Sequence, residues 1–181
     1  MSDARGLHID DADHFVTRLG PEHSEALQML FEQCADYVLL VDGESVSPHA
    51  AKEIFATAPP GRSLSGKFLY GLWNRQGAMV GVLEGMRDYP DEATWWIGLL
   101  LLAPEVRGRG LGRKLIEGFA DYVSSEHGMA IMLGVVEENH PAYRFWERQG
   151  FKLVRQTEPR QFGKKTQRVY VMRWAVASPQ T

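Results

Sequence analysis

The chain has 181 residues, 44% of them hydrophobic, and a formal net charge of −3, which suits one compact domain with a sizeable core and argues against a general nucleic-acid-binding surface. Cys34 is the single cysteine, which excludes an internal disulfide and a cysteine-based metal cluster, and it reads as a small buried hydrophobe on a helix. With no N-terminal signal pattern and no apolar run near about twenty residues, a soluble, cytoplasmic protein that avoids the membrane is expected.

Residues 1–13 carry Asp3, Asp10, Asp11 and Asp13 with little apolar content, and are expected to form a mobile tail. The domain then runs over 14–176, and a polar tail over 177–181. His14 to Leu19 alternates as a first strand. Pro21 introduces a helix with Ala26, Leu27, Leu30, Phe31 and Cys34 on one face. Val38 to Val41 is apolar and stops at the turn Asp42-Gly43. Ser47-Pro48 predicts a second helix, with serine as N-cap and proline at its first position. Ala51, Ile54, Phe55 and Ala58 would face inward there, and Pro59-Pro60-Gly61 would end it. Lys67 to Asn74 and Ala78 to Asp88 predict a hairpin through Arg75-Gln76-Gly77. On its second strand Val80, Val82, Glu84 and Met86 share a face. A carboxylate among apolar neighbours can be poised as a base by burial, or can pair with an arginine or sit at the sheet rim.

After the loop Tyr89 to Glu92, the run Trp95 to Ala103 is too short to span a membrane and is bounded by Pro104, as a strand buried on both faces would be. Arg107-Gly108-Arg109-Gly110-Leu111-Gly112 then opens an amphipathic helix with Leu115, Ile116, Phe119 and Val123 on one side. Strand, glycine-rich turn and helix N-terminus make an anion site, since glycine lets backbone N–H groups face a ligand and the helix dipole favours negative charge. Arg107, Arg109, Arg113 and Lys114 add positive charge. The glycines alternate, so the dinucleotide fingerprint does not fit, and the P-loop spacing is absent. His127-Gly128 ends the helix. Ala130 to Val136 is another buried strand, and Asn139 caps the next helix. On that helix Asn139, Tyr143 and Trp146 form one stripe and Ala142, Phe145 and Gln149 a neighbouring one. Phe151 to Gln156 is a strand, Gly163-Lys164-Lys165 a turn, and Arg168 to Val176 the last strand.

Arg-x-x-Gly-x-Gly from Arg107 to Gly112 resembles the coenzyme A pyrophosphate loop of the GNAT superfamily of N-acetyltransferases. Asn139 to Phe151, with Ala142, Phe145, Trp146, Glu147, Arg148 and Gly150, is similar to the superfamily's second motif, and the resemblance covers Thr94 to Phe151. It implies an α/β (α+β) fold, a single domain whose mixed, mostly antiparallel sheet has about six or seven strands, is flanked by about four helices and splays at its central strand. The implied reaction moves the acetyl group of acetyl-CoA to a primary amine by direct attack in a ternary complex, with no metal, in a monomer or homodimer. The early helices would border the acceptor.

By motif position, backbone groups of Leu100 and Leu102 would hold the pantetheine arm with Asn139, and Arg107, Gly108, Arg109, Gly110, Leu111, Gly112 and Arg113 would hold the pyrophosphate. Trp146 stands where the superfamily often has a tyrosine that protonates the departing thiolate, and an indole N–H does not deliver a proton at neutral pH. Tyr143, one turn earlier, is the candidate replacement. Glu84 is the first candidate base, ahead of Glu137 and Glu138, which read as solvated carboxylates before a helix. His140 reads as an exposed loop histidine. Trp73, Trp95 and Trp96 are candidates to line the acceptor pocket, although core packing accounts for at least two of them. The missing tyrosine also admits a catalytically silent acyl-CoA-binding regulatory module.

Overall fold

Residues 6–176 are described by a computed structural model, in which the apolar periodicities resolve into strands β1 (His14–Arg18), β2 (Lys67–Asn74), β3 (Met79–Arg87), β4 (Thr94–Leu102), β5 (Ala130–Val136), β6 (Lys152–Gln156), β7 (Arg160–Phe162), β8 (Lys165–Gln167) and β9 (Val169–Ala175). The α-helices are α1 (Ser24–Gln33), α2 (Ala35–Asp42), α3 (Ala50–Ala56), α4 (Leu111–Ser125) and α5 (His140–Arg148). Seven strands form one sheet in the order β1-β2-β3-β4-β5-β9-β6, while β7 and β8 form a separate hairpin. Within the large sheet every pairing is antiparallel except β4 with β5, the pair joined by the α4 crossover.

The amphipathic stripe of α4 meets one face of the sheet. Phe119 packs on Phe68 and Trp95, and Tyr122 on Tyr70 and Trp95. Leu115, Ile116 and Val123 on the same stripe are buried. Because side chains alternate along a strand, Trp96 and Gly98 belong to the opposite face. Gln28 braces α1 against α3, donating to the Ser47 carbonyl at 2.9 Å and accepting from the Ala51 amide at 3.1 Å.

One irregularity shapes the rest. Along β3 and β4 the register passes from Glu84↔Leu99 to Gly85↔Ile97, so Gly98 is an extra residue in β4, a β-bulge. The pairing of β4 with β5 also ends at Ile97↔Leu133, just before that glycine. Past this point β4 stays with β3 and leaves β5, and the two central strands splay.

One stretch left unassigned acquires an element, and three expectations are corrected. Val38 to Val41 lies within a helix, α2, which stops at Gly43 in the left-handed region, φ 69°. The second predicted helix starts at Ala50, because Ser47 closes a turn: its Oγ accepts from the His49 amide at 3.2 Å and its carbonyl from the Ala50 amide at 3.1 Å. The turn around Gly163 is flanked by the strands β7 and β8, so the last strand begins at Val169. Finally, the segment expected as a tail is held down from Leu7 onward. Leu7 and Ile9 are buried, and a Cβ at Gly118 of α4 would lie 2.1 Å from the His8 carbonyl oxygen. Residues 1–5 and the predicted tail 177–181 lie outside the described residues.

Asp11 fastens this segment: its carboxylate meets Lys114 Nζ at 2.8 Å and His14 Nδ1 at 2.8 Å. The Lys114 hydrogen bond holds its carboxyl far below the usual carboxylate range. A depressed folded-state pKa stabilises the fold above the ordinary value near 4 and loses that contribution as pH falls. Thermal unfolding of wild type should therefore weaken more steeply between about pH 4 and pH 2 than that of Asp11→Asn; parallel curves for the two proteins would show that the pair contributes nothing.

Candidate active site

Two cavities open where β4 and β5 part. The larger, of about 760 Å³, runs along Leu100, Leu101 and Leu102 of β4 to the loop at Gly108, Gly110 and Gly112, with Asn139, Ala142 and Phe145 of α5 opposite. The smaller, of about 320 Å³, penetrates the splay between residues 97–100 of β4 and 133–136 of β5 and is walled by Tyr37, Trp96, Trp146 and Phe162. Tyr37, Leu100, Asn139 and Ala142 line both. A group at this junction faces each cavity.

The loop end of the larger cavity is built from backbone. Gly108 and Gly110 sit at φ 72° and 82°, conformations that L residues rarely adopt, and nothing lies within 4 Å of a Cβ added at either. Gly112 is small for a different reason: a Cβ there would come within 3.3 Å of Leu102 and Phe145. Helix α4 begins at Leu111 with no side-chain cap, and its first loop acceptor is used by Lys114, whose amide donates to the Gly110 carbonyl at 3.1 Å. Among the described residues, the amides from Gly108 to Arg113 have no hydrogen-bond acceptor. Consecutive free N–H groups at the positive end of a fifteen-residue helix make a cradle for an anion.

The side-chain charges are distributed differently from the sequence expectation. Arg107 grips Asp36 of α2 through Nη1 and Nη2, at 2.5 and 3.1 Å, and donates from Nε to the Leu102 carbonyl at 2.8 Å. Its hydrogen bond to Asp36 raises the pKa of Arg107 and lowers that of the carboxyl. The arginine thus serves as a clasp between α2 and the loop. Lys114 points to Asp11, and Arg113 reaches the cavity rim while paired with Glu117 at 2.7 Å. Arg109 is exposed and does not line the cavity, whereas Arg148 of α5 does. Leu111 is buried, so only its amide is offered. Leu102 lines the cavity, but its carbonyl already accepts from Arg107 and from Cys34 Sγ at 3.4 Å. Leu100 is the β4 residue shared by both cavities. Asn139 caps α5 through Oδ1, accepting from the Ala142 amide at 3.2 Å, and its side-chain Nδ2 has no partner among the described residues.

Two candidate catalytic groups sit otherwise than expected. Tyr143 lines neither cavity; its ring packs edge-on against Tyr170 of β9 at 5.1 Å, and burial raises its pKa. The stripe that faces the larger cavity is Ala142, Phe145 and Gln149, the neighbouring one. Trp146 is buried between Phe145 and Phe151 and borders the smaller cavity. Glu84 is ion-paired with Lys67, both nearly buried, in a side pocket of about 240 Å³ that shares Trp96 and Gly98 with the smaller cavity. A Cβ on residue 98 would lie 2.5 Å from Glu84 Oε2, so the glycine is what lets the carboxylate approach β4. Glu137 accepts from the Arg168 amide at 2.9 Å and Glu138 pairs with Lys165 at 2.6 Å. Trp73 bonds Thr17 on β1 and Trp95 belongs to the α4 core, leaving Trp96 as the cavity tryptophan.

Tyr37 escaped the sequence reading because its helix was not recognised; Asp36 and Leu40 at helical spacing beside it were the available cue. Its phenol pKa is pushed up to about 12, by burial first and by Asp42 second. No helix among the described residues is long and apolar enough to cross a membrane.

Splayed central strands, an amide cradle at a crossover helix and a second cavity through the splay define an acyltransferase cleft. The Acetyltransferase (GNAT) family matches residues 26–151, and the chain belongs to that family. It is 29% identical over 83 residues to the peptidyl-lysine N-acetyltransferase YiaC of Escherichia coli, a match spanning 46% of this chain and 49% of that relative, so about half of its length. The fold is similar to that of spermidine N-acetyltransferase from Vibrio cholerae in complex with CoA and spermine, with TM-score 0.71, 18% identity and coverage of 92% and 97% of the two chains. It is also similar to an acetyltransferase from Thermus thermophilus, with TM-score 0.72, 24% identity and coverage of 91% and 98%.

The clasp can be tested through Cys34, which is fully buried at the junction of α1 and α2 with its thiol pKa raised by that burial. A part-exposed ion pair contributes at most about 1 kcal/mol, so Asp36→Ala should speed native-state labelling of Cys34 by about two- to fivefold. An unchanged labelling rate would show that Arg107 does not restrain α2.

Proposed function

We propose that the chain moves the acetyl group of acetyl-CoA to a primary amine by direct attack in a ternary complex. The observation that carries this is the run of free amides from Gly108 to Arg113, set at the mouth of a cavity that follows β4 into the splay. The cradle suits a pyrophosphate. An arm running from it along Leu102 and Leu100, with the Asn139 amide alongside, brings its thioester to the junction at Tyr37. The amine enters from the smaller cavity. Holding the two reactants in register supplies the larger part of the acceleration.

The amine must shed a proton, since an alkylamine with a lysine-like pKa is neutral only about once in several thousand molecules at pH 7. Glu84, reached across Gly98, is the carboxylate assigned to take it through water. The departing sulfur meets Tyr37. A phenol raised in this way is a weaker acid than a thiol, so full transfer of its proton is uphill. Tyr37 stays un-ionised and donates a hydrogen bond to the thiolate. This puts an O–H donor at the junction of the two cavities and favours turnover over a silent coenzyme-binding module.

Gly110→Asp should abolish coenzyme A binding in calorimetry, because it combines a strained φ with a negative charge in the cradle; wild-type affinity would refute the loop assignment. Tyr37→Phe should lower kcat by about ten- to a hundredfold, the worth of a hydrogen bond to a charged group, with coenzyme affinity within about twofold. Tyr143→Phe should leave kcat near that of wild type, and the reverse ranking of the two variants would return the role to Tyr143.

A further inference from the structure

The smaller cavity also specifies what enters it. Its walls are aromatic and aliphatic, and the single charged residue among those lining it is Arg160 of β7. Arg107, Arg113 and Arg168 have carboxylate partners in Asp36, Glu117 and Glu158, and Arg148, which has none among the described residues, lines the larger cavity and not this one. Arg160 has none among the described residues. Glu84, the carboxylate nearest through Gly98, is ion-paired with Lys67 and lies outside the residues that line this cavity.

The hairpin that carries Arg160 is firmly seated. Lys165 Nζ donates to the Leu40 carbonyl at 3.0 Å and pairs with Glu138. The Gln167 side-chain amide donates to the Val41 carbonyl at 2.7 Å, and the Lys164 backbone amide to the Asp42 carbonyl at 2.7 Å. These bonds satisfy carbonyls at the C-terminal end of α2 that the helix itself leaves open. Arg160 and Phe162 are therefore held at the cavity with Tyr37, which lies on the same helix.

We infer that the acceptor is a small amine bearing its own carboxylate, an amino acid with an apolar side chain, whose carboxylate pairs with Arg160 while its amine turns toward Leu100 and the junction. The inference rests on the acetyl-transfer reading of the cleft. A guanidinium fork suits a carboxylate in bidentate geometry, and the aromatic walls suit an apolar body. A polyamine fits poorly, since its second ammonium would face Arg160 with no open carboxylate to receive it. About 320 Å³ accommodates a molecule of amino-acid size.

The test is thiol release from acetyl-CoA with matched acceptors: the apolar and aromatic amino acids, their amides, their decarboxylated amines, spermidine, and a short peptide with a free N-terminus. Wild type should favour the acids over their amides by at least about tenfold in kcat/KM, the scale of one charged hydrogen-bonded contact. Arg160→Glu should remove that preference and raise the relative rate of spermidine, with coenzyme A affinity and thermal stability unchanged. Amides, decarboxylated amines, spermidine or the peptide reacting as well as the acids, or an unaltered ranking in Arg160→Glu, would overturn the inference and leave acetyl transfer standing. Coenzyme A binding with no release for any acceptor would overturn the transfer reading itself and the inference with it.

Discussion

β4 has to satisfy two neighbours with different demands. It keeps its antiparallel ladder with β3 to Leu102, yet it must abandon β5 after Ile97. The bulged Gly98 reconciles them. One extra residue bends the strand at the point where the parallel ladder stops, and no side chain has to be fitted against Glu84. Backbone that would otherwise have been paired with β5 becomes cavity wall. Both cavities, their junction and the approach to Glu84 follow from this single departure from regular pairing.

Helix α2 ties the parts of the site together. Asp36 near its N-terminus is clasped by Arg107 from the anion loop, and its C-terminal carbonyls are gripped by the β7–β8 hairpin. Tyr37 lies between these two anchors and owes its position to both. Most charges around the larger cavity are paired off: Arg107 with Asp36, Arg113 with Glu117, Glu138 with Lys165. The anion recognition proposed for the loop is thereby left mainly to oriented backbone, which a flexible side chain cannot mispoint.

The sequence was most readable where period and punctuation agreed. The hairpin of β2 and β3, the amphipathic stripe of α4 and the glycine alternation from Gly108 to Gly112 each carry a local cause, and each stands where its residues placed it. Tertiary choices were hidden. Nothing local says whether Arg107 turns to a ligand or to Asp36, 71 residues earlier in the chain. Tyr143 and Phe145 occupy adjacent stripes of α5, and only the direction from which β9 and α4 approach decides which stripe faces the cleft. For Glu84, the sequence left burial and pairing as alternatives, and the fold supplies both at once, with lysine as the partner. Helix α2 was missed because a short apolar run ending in Asp-Gly looks the same in a strand or a helix.

The hairpin lies beyond residue 151, where the family match ends. It touches the cleft from outside the segment that makes the amide cradle. Most of the smaller cavity's wall lies within the family match, and the hairpin adds Arg160 and Phe162 to it from outside. On the acceptor reading proposed above, drift in this later stretch retunes one wall of the cavity and leaves the amide cradle as it is.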